Sequence, residues 1–302
     1  MLTKPKRLLP GGTIGVIAPA GKVNQDDLNR GVTYLEKRGY RVVLGRHVEK
    51  THRYFAGEDR DRADDFLEMM QNKEIDAVIC ARGGSGAARI IPYIDPIHSL
   101  PKKIFVGCSD ITTLLLYLSS KHRFVTFHGP MVAPQIGDCP SNPKGDEAAD
   151  YLFRVLSGEN VKMCVPEMTA LKPGTADGIL TGGCLSLICT TIGTPYEMDT
   201  RDRILFIEDI GEVPYRIDRM LYFLKMLNKF KDIRGLIFGQ MPGCHAERLP
   251  EIIMEIFSEF DFPIWFGFPS GHGDSLFTLP IGIPVRIDSN DGALTMLSPA
   301  VE

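Results

Sequence analysis

At 302 residues the chain has room for one large or two ordinary domains, and 44% hydrophobic with 24% charged residues supports a substantial globular core. A formal net charge of −4 offers no basic stripe to a nucleic acid, and the longest apolar runs fall short of the roughly 20 residues a membrane span needs. The seven cysteines are odd in number and lack a CxxC pair, so they read as reduced, buried thiols of a cytoplasmic protein and not as disulfides or a zinc site.

The opening "MLTKPKRLLPGGTIGVIAPAG" is broken by Pro and Gly before a signal-peptide core can form. Within it, "TIGVIAPAG" predicts a strand running into a turn, and "NQDDLNRGVTYLEKRG" predicts a helix, with Leu28, Val32 and Leu35 at helical spacing and Gly39 as its stop. Then follow "YRVVLG" (strand), "DRADDFLEMMQN" (helix), "AVICARGG" (strand), "GAARIIPYI" (helix), "KIFVGCSD" (strand) and "ITTLLLYLSSKH" (helix). Alternating units with continuous apolar strands predict an α/β fold, its parallel sheet covered on both faces. Between about 135 and 175 Pro, Gly, Ser and charge accumulate around one short helical stretch, which reads as a connection between domains. The expected division is an N-terminal domain over 1–145, a linker over 146–172 and a C-terminal domain over 173–302. Beyond the linker strands and helices mix, and "PIGIPVRIDSNDGALTML" closes on a hairpin signal, so the second domain is expected to be mixed α/β with added antiparallel strands.

Ligands of such sheets bind at the carboxyl ends of the strands, where "APAG", "ARGGSGAAR" and "GCSD" cluster. The Gly-rich loop matches neither GxGxxG nor a P-loop, so its backbone N–H groups suit an oxyanion or a carboxylate better than a nucleotide. A tight turn in which glycine only permits positive φ explains the pattern equally well. At "GCSD" a strand delivers Cys108, Ser109 and Asp110 to a helix start, as in a nucleophile elbow, yet without G-x-S-x-G spacing. Either Cys108 or Ser109 fits a nucleophile there, and Asp110 fits a plain N-cap of the following helix. For a base, His272 between two glycines and His128 at a strand end compete; His47, His98 and His122 lie among polar residues. Glu208 and Asp209, after the apolar "ILFI", provide a carboxylate at a strand's carboxyl end, with no accompanying ligands at metal spacing.

Taken together, "GGTIGVIAPAG", "ARGGSGAARIIPYID", "FVGCSDITTLL", "FHGPM", "LTGGCLSLI", "FIEDIGEVPYRIDRML", "GLIFGQ" and "GHGDSLFTLPIG" make the chain resemble the LD-carboxypeptidase family of serine peptidases, which includes murein tetrapeptide carboxypeptidases and microcin C7 self-immunity proteins. The resemblance spans nearly the whole chain. It implies Ser109 as nucleophile, Glu208 as orienter and His272 as base, with an oxyanion hole from the backbone N–H groups of Asp110 and Gly84. It implies a cytoplasmic homodimer that uses no metal and no cofactor. The implied reaction is hydrolysis of the L,D-peptide bond before the terminal D-alanine of murein tetrapeptides in cell-wall recycling; the substrate's terminal carboxylate needs a cation, for which Arg82 and Arg89 are the candidates. Ser85 departs from the aromatic residue common in the family, which puts the substrate wall in question. The alternatives are an immunity hydrolase that cleaves peptidyl- or aminoacyl-nucleotide amides, and a non-catalytic peptide- or sugar-binding protein. The scarcity of aromatic residues after Glu208 favours the carboxypeptidase branch, and the complete set of three triad residues disfavours a silent binder.

Overall fold

A computed structural model describes residues 2–165 and 168–302. The chain begins with β1 (Thr13–Ile17), α1 (Gln25–Lys37), β2 (Arg41–Leu44), α2 (Asp59–Gln71), β3 (Ala77–Cys80), α3 (Ala87–Ile94), β4 (Ile104–Gly107), α4 (Thr112–Ser120) and β5 (Thr126–His128). Every residue of β1, β3 and β4 is buried, which accounts for their uninterrupted apolar sequence in place of alternation. Helix α1 starts where the Asn24 side chain accepts from Asp27 N (3.1 Å), and it turns Leu28, Gly31 and Leu35 to the core.

Next come α5 (Pro143–Ser157), β6 (Lys162–Cys164), β7 (Thr169–Lys172), β8 (Thr175–Cys184), α6 (Leu185–Thr191), β9 (Arg203–Glu208), α7 (Pro214–Met226), β10 (Gly235–Gln240), α8 (Leu249–Ile256), β11 (Ile264–Gly271), β12 (Leu279–Ile281), β13 (Pro284–Asp288) and β14 (Ala293–Met296). Two sheets result. The six-stranded sheet runs β12-β5-β4-β3-β1-β2, and the eight-stranded sheet runs β6-β14-β13-β8-β9-β10-β11-β7. In the second sheet β8 to β11 are parallel, while β13, β14, β6 and β7 pair antiparallel around them.

Two features depart from the sequence reading. The first sheet is not wholly parallel: β12, from the far end of the chain, pairs antiparallel with β5, Leu279 opposite His128. The stretch read as a linker contains most of the 15-residue helix α5, whose Tyr151 ring packs edge-on to Phe277 (centroids 5.2 Å), and also the strands β6 and β7 of the second sheet. Helix α4 is buried from Thr112 to Ser119, and its Thr112 Oγ1 accepts from Cys184 N at the end of β8 (3.1 Å). A helix enclosed on all sides needs the continuous apolar sequence "LLLYL". Among the described residues no helix is long and apolar enough to cross a membrane.

Candidate active site

Strand β4 ends at Gly107, and Ser109 follows with φ +58, a left-handed conformation uncommon outside glycine. A short 3-10 turn over Ser109–Ile111 then feeds α4, giving a strand–turn–helix elbow with the serine at its apex. Cys108 beside it is buried, and burial, reinforced by the charge of Glu208, pushes its thiol well above the ordinary value. A thiol held neutral is a poor nucleophile.

The Gly-rich loop lies directly on the elbow. A Cβ on Gly83 would come within 2.7 Å of Ser109 Cβ, so only glycine fits there. The Gly83 carbonyl accepts from Gly21 N in the "APAG" loop (2.8 Å). In a trans peptide the N–H points opposite to the C=O, so this bond turns the Gly84 N–H away from the "APAG" loop. Among the described residues neither the Gly84 N–H nor the Asp110 N–H meets an acceptor.

Asp110 does not cap its own helix, as the N-cap reading expected. Its buried carboxylate reaches across to α3, where Oδ2 accepts from Ala87 N (2.7 Å), and burial raises it to about 6.

On the second sheet the two acids at the end of β9 have separate partners. Glu208 is fully buried, and its Oε2 lies 2.5 Å from His272 Nδ1. Asp209 turns instead to the start of α6, accepting from Ser186 N and from Ile210 N (2.8 Å each). Burial raises Glu208 despite the opposing pull of His272. For His272 burial works downward, but the hydrogen bond and charge of Glu208 outweigh it, so the imidazole is raised above 6.5. With Nδ1 engaged, Nε2 is the nitrogen left for a reacting group.

His272 sits in the loop between β11 and β12, one strand in each sheet. That loop is supported by Ser270 Oγ donating to Phe277 O (2.7 Å) and by Tyr151 of α5 against Phe277. The two halves meet at the elbow: Cys184, opposite Glu208 in the β8–β9 ladder, bonds Thr112, three residues after Ser109. Ser109 Oγ itself makes no hydrogen bond among the described residues, a looseness common in unliganded sites.

The rival base, His128, is fully buried with its ring against Phe206 (5.1 Å). Burial, then the charge of His272, lowers it to about 3. Arg82 is exposed at the loop edge, with Nη1 on Lys22 O (3.0 Å). Arg89 is held by Asp59 through Nε (2.9 Å) and Nη2 (2.7 Å), so its fork is occupied. Among the described residues no group of three or more His, Cys, Asp or Glu is arranged to hold a metal ion.

Sequence reasoning missed Arg62, buried in α2, whose Nη1 donates to Pro19 O (2.9 Å) and Gly86 O (2.7 Å). It lies four residues before the buried Phe66, so the helical period of α2 already put it on the core face.

The family model for the LD-carboxypeptidase N-terminal domain matches residues 14–129, and that for the C-terminal domain matches 177–287. A probable murein peptide carboxypeptidase of Bacillus subtilis is 40% identical over 95% of this chain and 92% of its own length. The crystal structure of muramoyltetrapeptide carboxypeptidase from Oxalobacter formigenes is 28% identical with a TM-score of 0.79, over 94% of this chain and 97% of that one. The structure of MccF in complex with glutamyl sulfamoyl guanosine, at 24% identity, shares the fold with a TM-score of 0.91 over 99% of each chain. The two matching domain models and the near full-length relative make this chain a member of the LD-carboxypeptidase family.

Proposed function

We propose that the protein is a serine carboxypeptidase that removes the terminal D-alanine from murein tetrapeptides, with Ser109, His272 and Glu208 as its triad. The observation that carries the reading is the buried Glu208–His272 pair in one sheet, joined through the β8–α4 contact to an elbow that holds Ser109 at φ +58 in the other. His272 Nε2 takes the Ser109 proton as Oγ attacks the scissile carbonyl, and Glu208 stabilises the imidazolium that forms. The oxyanion is received by the N–H groups of Gly84 and Asp110; losing one such donor typically costs about 10²- to 10³-fold in rate. The imidazolium then protonates the leaving D-alanine amine, and water, deprotonated by the same histidine, releases the shortened peptide from Ser109.

Arg82 is the better anchor for the substrate carboxylate, because Arg89 already serves Asp59. The reading extends to a homodimer. Its support is an apolar face on α7, where Tyr215, Tyr222 and Met226 are exposed beside a groove of about 820 Å³. Sedimentation of the wild type against Tyr222→Glu checks that face: a monomer–dimer difference is expected, and identical dimers would exclude it.

Mass spectrometry of products from tri-, tetra- and pentapeptides, beside an aminoacyl sulfamoyl nucleoside, tests the reaction. Release of D-alanine from the tetrapeptide alone is expected; cleavage of the nucleoside alone would move the protein to the immunity branch. Ser109→Ala is expected to abolish turnover while Cys108→Ser keeps most of it. The reverse pattern would restore the thiol.

A further inference from the structure

One peptide unit near the oxyanion loop is gripped at both ends. The N–H of Ala87 donates to Asp110 Oδ2 (2.7 Å), and the C=O of Gly86, in the same peptide plane, accepts from Arg62 Nη1 (2.7 Å). Both side chains are buried, Asp110 to 6% and Arg62 to 1% exposure. Arg62 is itself fixed by Pro19 O, by the Asp59 carboxylate and by the Phe55 ring (4.9 Å). Gly86 has φ +119, and a Cβ there would come within 2.6 Å of Arg62 Nη1, so the close approach depends on glycine. Burying two opposite charges on either side of a peptide is expensive in desolvation, and an ordinary turn does not require it.

The placement explains the cost. Gly84 lies between two fixed peptide units. Upstream, the Gly83–Gly84 peptide is held by Gly21 N and seated on Ser109. Downstream, the Gly86–Ala87 peptide is held by the two charges. Without the downstream grip, the single Gly21 bond and the contact with Ser109 would alone hold a run of glycine and serine in place.

We propose that the side chains of Asp110 and Arg62 are positioning residues that clamp the Gly86–Ala87 peptide, anchoring the downstream end of the loop so that the Gly83–Gly84 peptide stays seated with its N–H toward the developing oxyanion. Asp110 thus serves twice, through its backbone as a donor and through its carboxylate as the holder of the other donor's loop. The inference rests on reading the Gly84 and Asp110 N–H groups as the oxyanion hole.

The test compares Asp110→Ala, Asp110→Asn and Arg62→Lys with wild type on the tetrapeptide, and measures substrate Kd in the Ser109→Ala background with and without each change. Asp110→Ala and Arg62→Lys are expected to lower kcat about 10- to 100-fold, the scale of a misplacement near 1 Å, with KM and Kd within about threefold. Asp110→Asn keeps an acceptor for Ala87 N and is expected to recover part of the loss. Unchanged kcat in the folded variants, or equal losses in kcat and Kd, would overturn the clamp. If Asp110→Ala does not fold, the folded Asp110→Asn and Arg62→Lys decide by the same criterion. An active Ser109→Ala would instead remove the serine reading itself, whereas an inactive Ser109→Ala beside fully active clamp variants removes the clamp alone.

Discussion

Adjacent acids at the end of β9 do different work, and that difference is measurable. Glu208→Gln keeps the shape but cannot hold the imidazolium, so kcat is expected to fall by about 10²- to 10⁴-fold with the fold intact. Asp209→Ala removes the cap on Ser186 N and is expected to cost about 1–2 kcal/mol of stability, with kcat per folded molecule within a few-fold. Equal kinetic losses in the two variants would dissolve the distinction. Because Glu208 holds His272 above 6.5, the protonated, inactive imidazole persists to a higher pH, and the acid limb of kcat should have its midpoint above 6.5. In Glu208→Gln the residual activity should show that limb moved to lower pH. Asp110 carries a second signature. Its carboxyl is raised from 3.8 to about 6 by burial, so the folded protein binds the proton more tightly than the unfolded chain does. Asp110 therefore adds stability that is full below pH 3.8 and is lost as the pH rises through 6. Urea unfolding between pH 4 and pH 7 should show that decline, and Asp110→Asn should flatten it. At this scale the sequence reading went as far as the residue types allowed. The elbow serine and the Gly-flanked histidine stand at the ends of readable strands, but the partner of Asp110 lies 23 residues earlier on another helix, where no local pattern reveals it.

Among the elements, β1, β3 and β4 were legible because buried parallel strands are written as unbroken apolar runs. Strand β12 was not. Three residues long, it owes its place to β5, to which "LPIG" contains no clue. Helix α5 was underestimated for a different reason: its Pro, Gly and acidic start resembles a loop, although Pro at the first helical position and the Asn142 cap on Gly145 N (3.1 Å) favour helix initiation. The strap from β11 to β12 carries His272 and joins the sheets, so its backbone should be as protected as the core of the first sheet. Native-state hydrogen exchange is expected to give the amides of Leu279 and Ile281 the same opening free energy as those of 126–128. Early exchange of β12 alone would show that the strap frays independently.

Across the whole molecule, that strap and the enclosed α4 make two sheets into one cooperative unit. The single tryptophan, Trp265, is fully buried in β11 and reports on the second sheet alone. Its fluorescence should nonetheless lose its native signal at the same urea concentration as the far-UV dichroism of the whole chain, and two separated midpoints would contradict the coupling. The domain division read from the sequence follows the chain, whereas the sheets do not, since β12 crosses back. Order of synthesis gives this crossing a further consequence. At about 5–20 residues per second, the edge of β5 waits roughly 8–30 s for the strand that covers it. During that interval the nascent N-terminal half presents an open strand edge. A chain cut short before β12 therefore contains Glu208 and His272 but leaves the His272 loop untethered at its downstream end and the first sheet with a free edge. The same late strand that ties down the His272 loop also closes the surface on which unfinished copies would stick to one another.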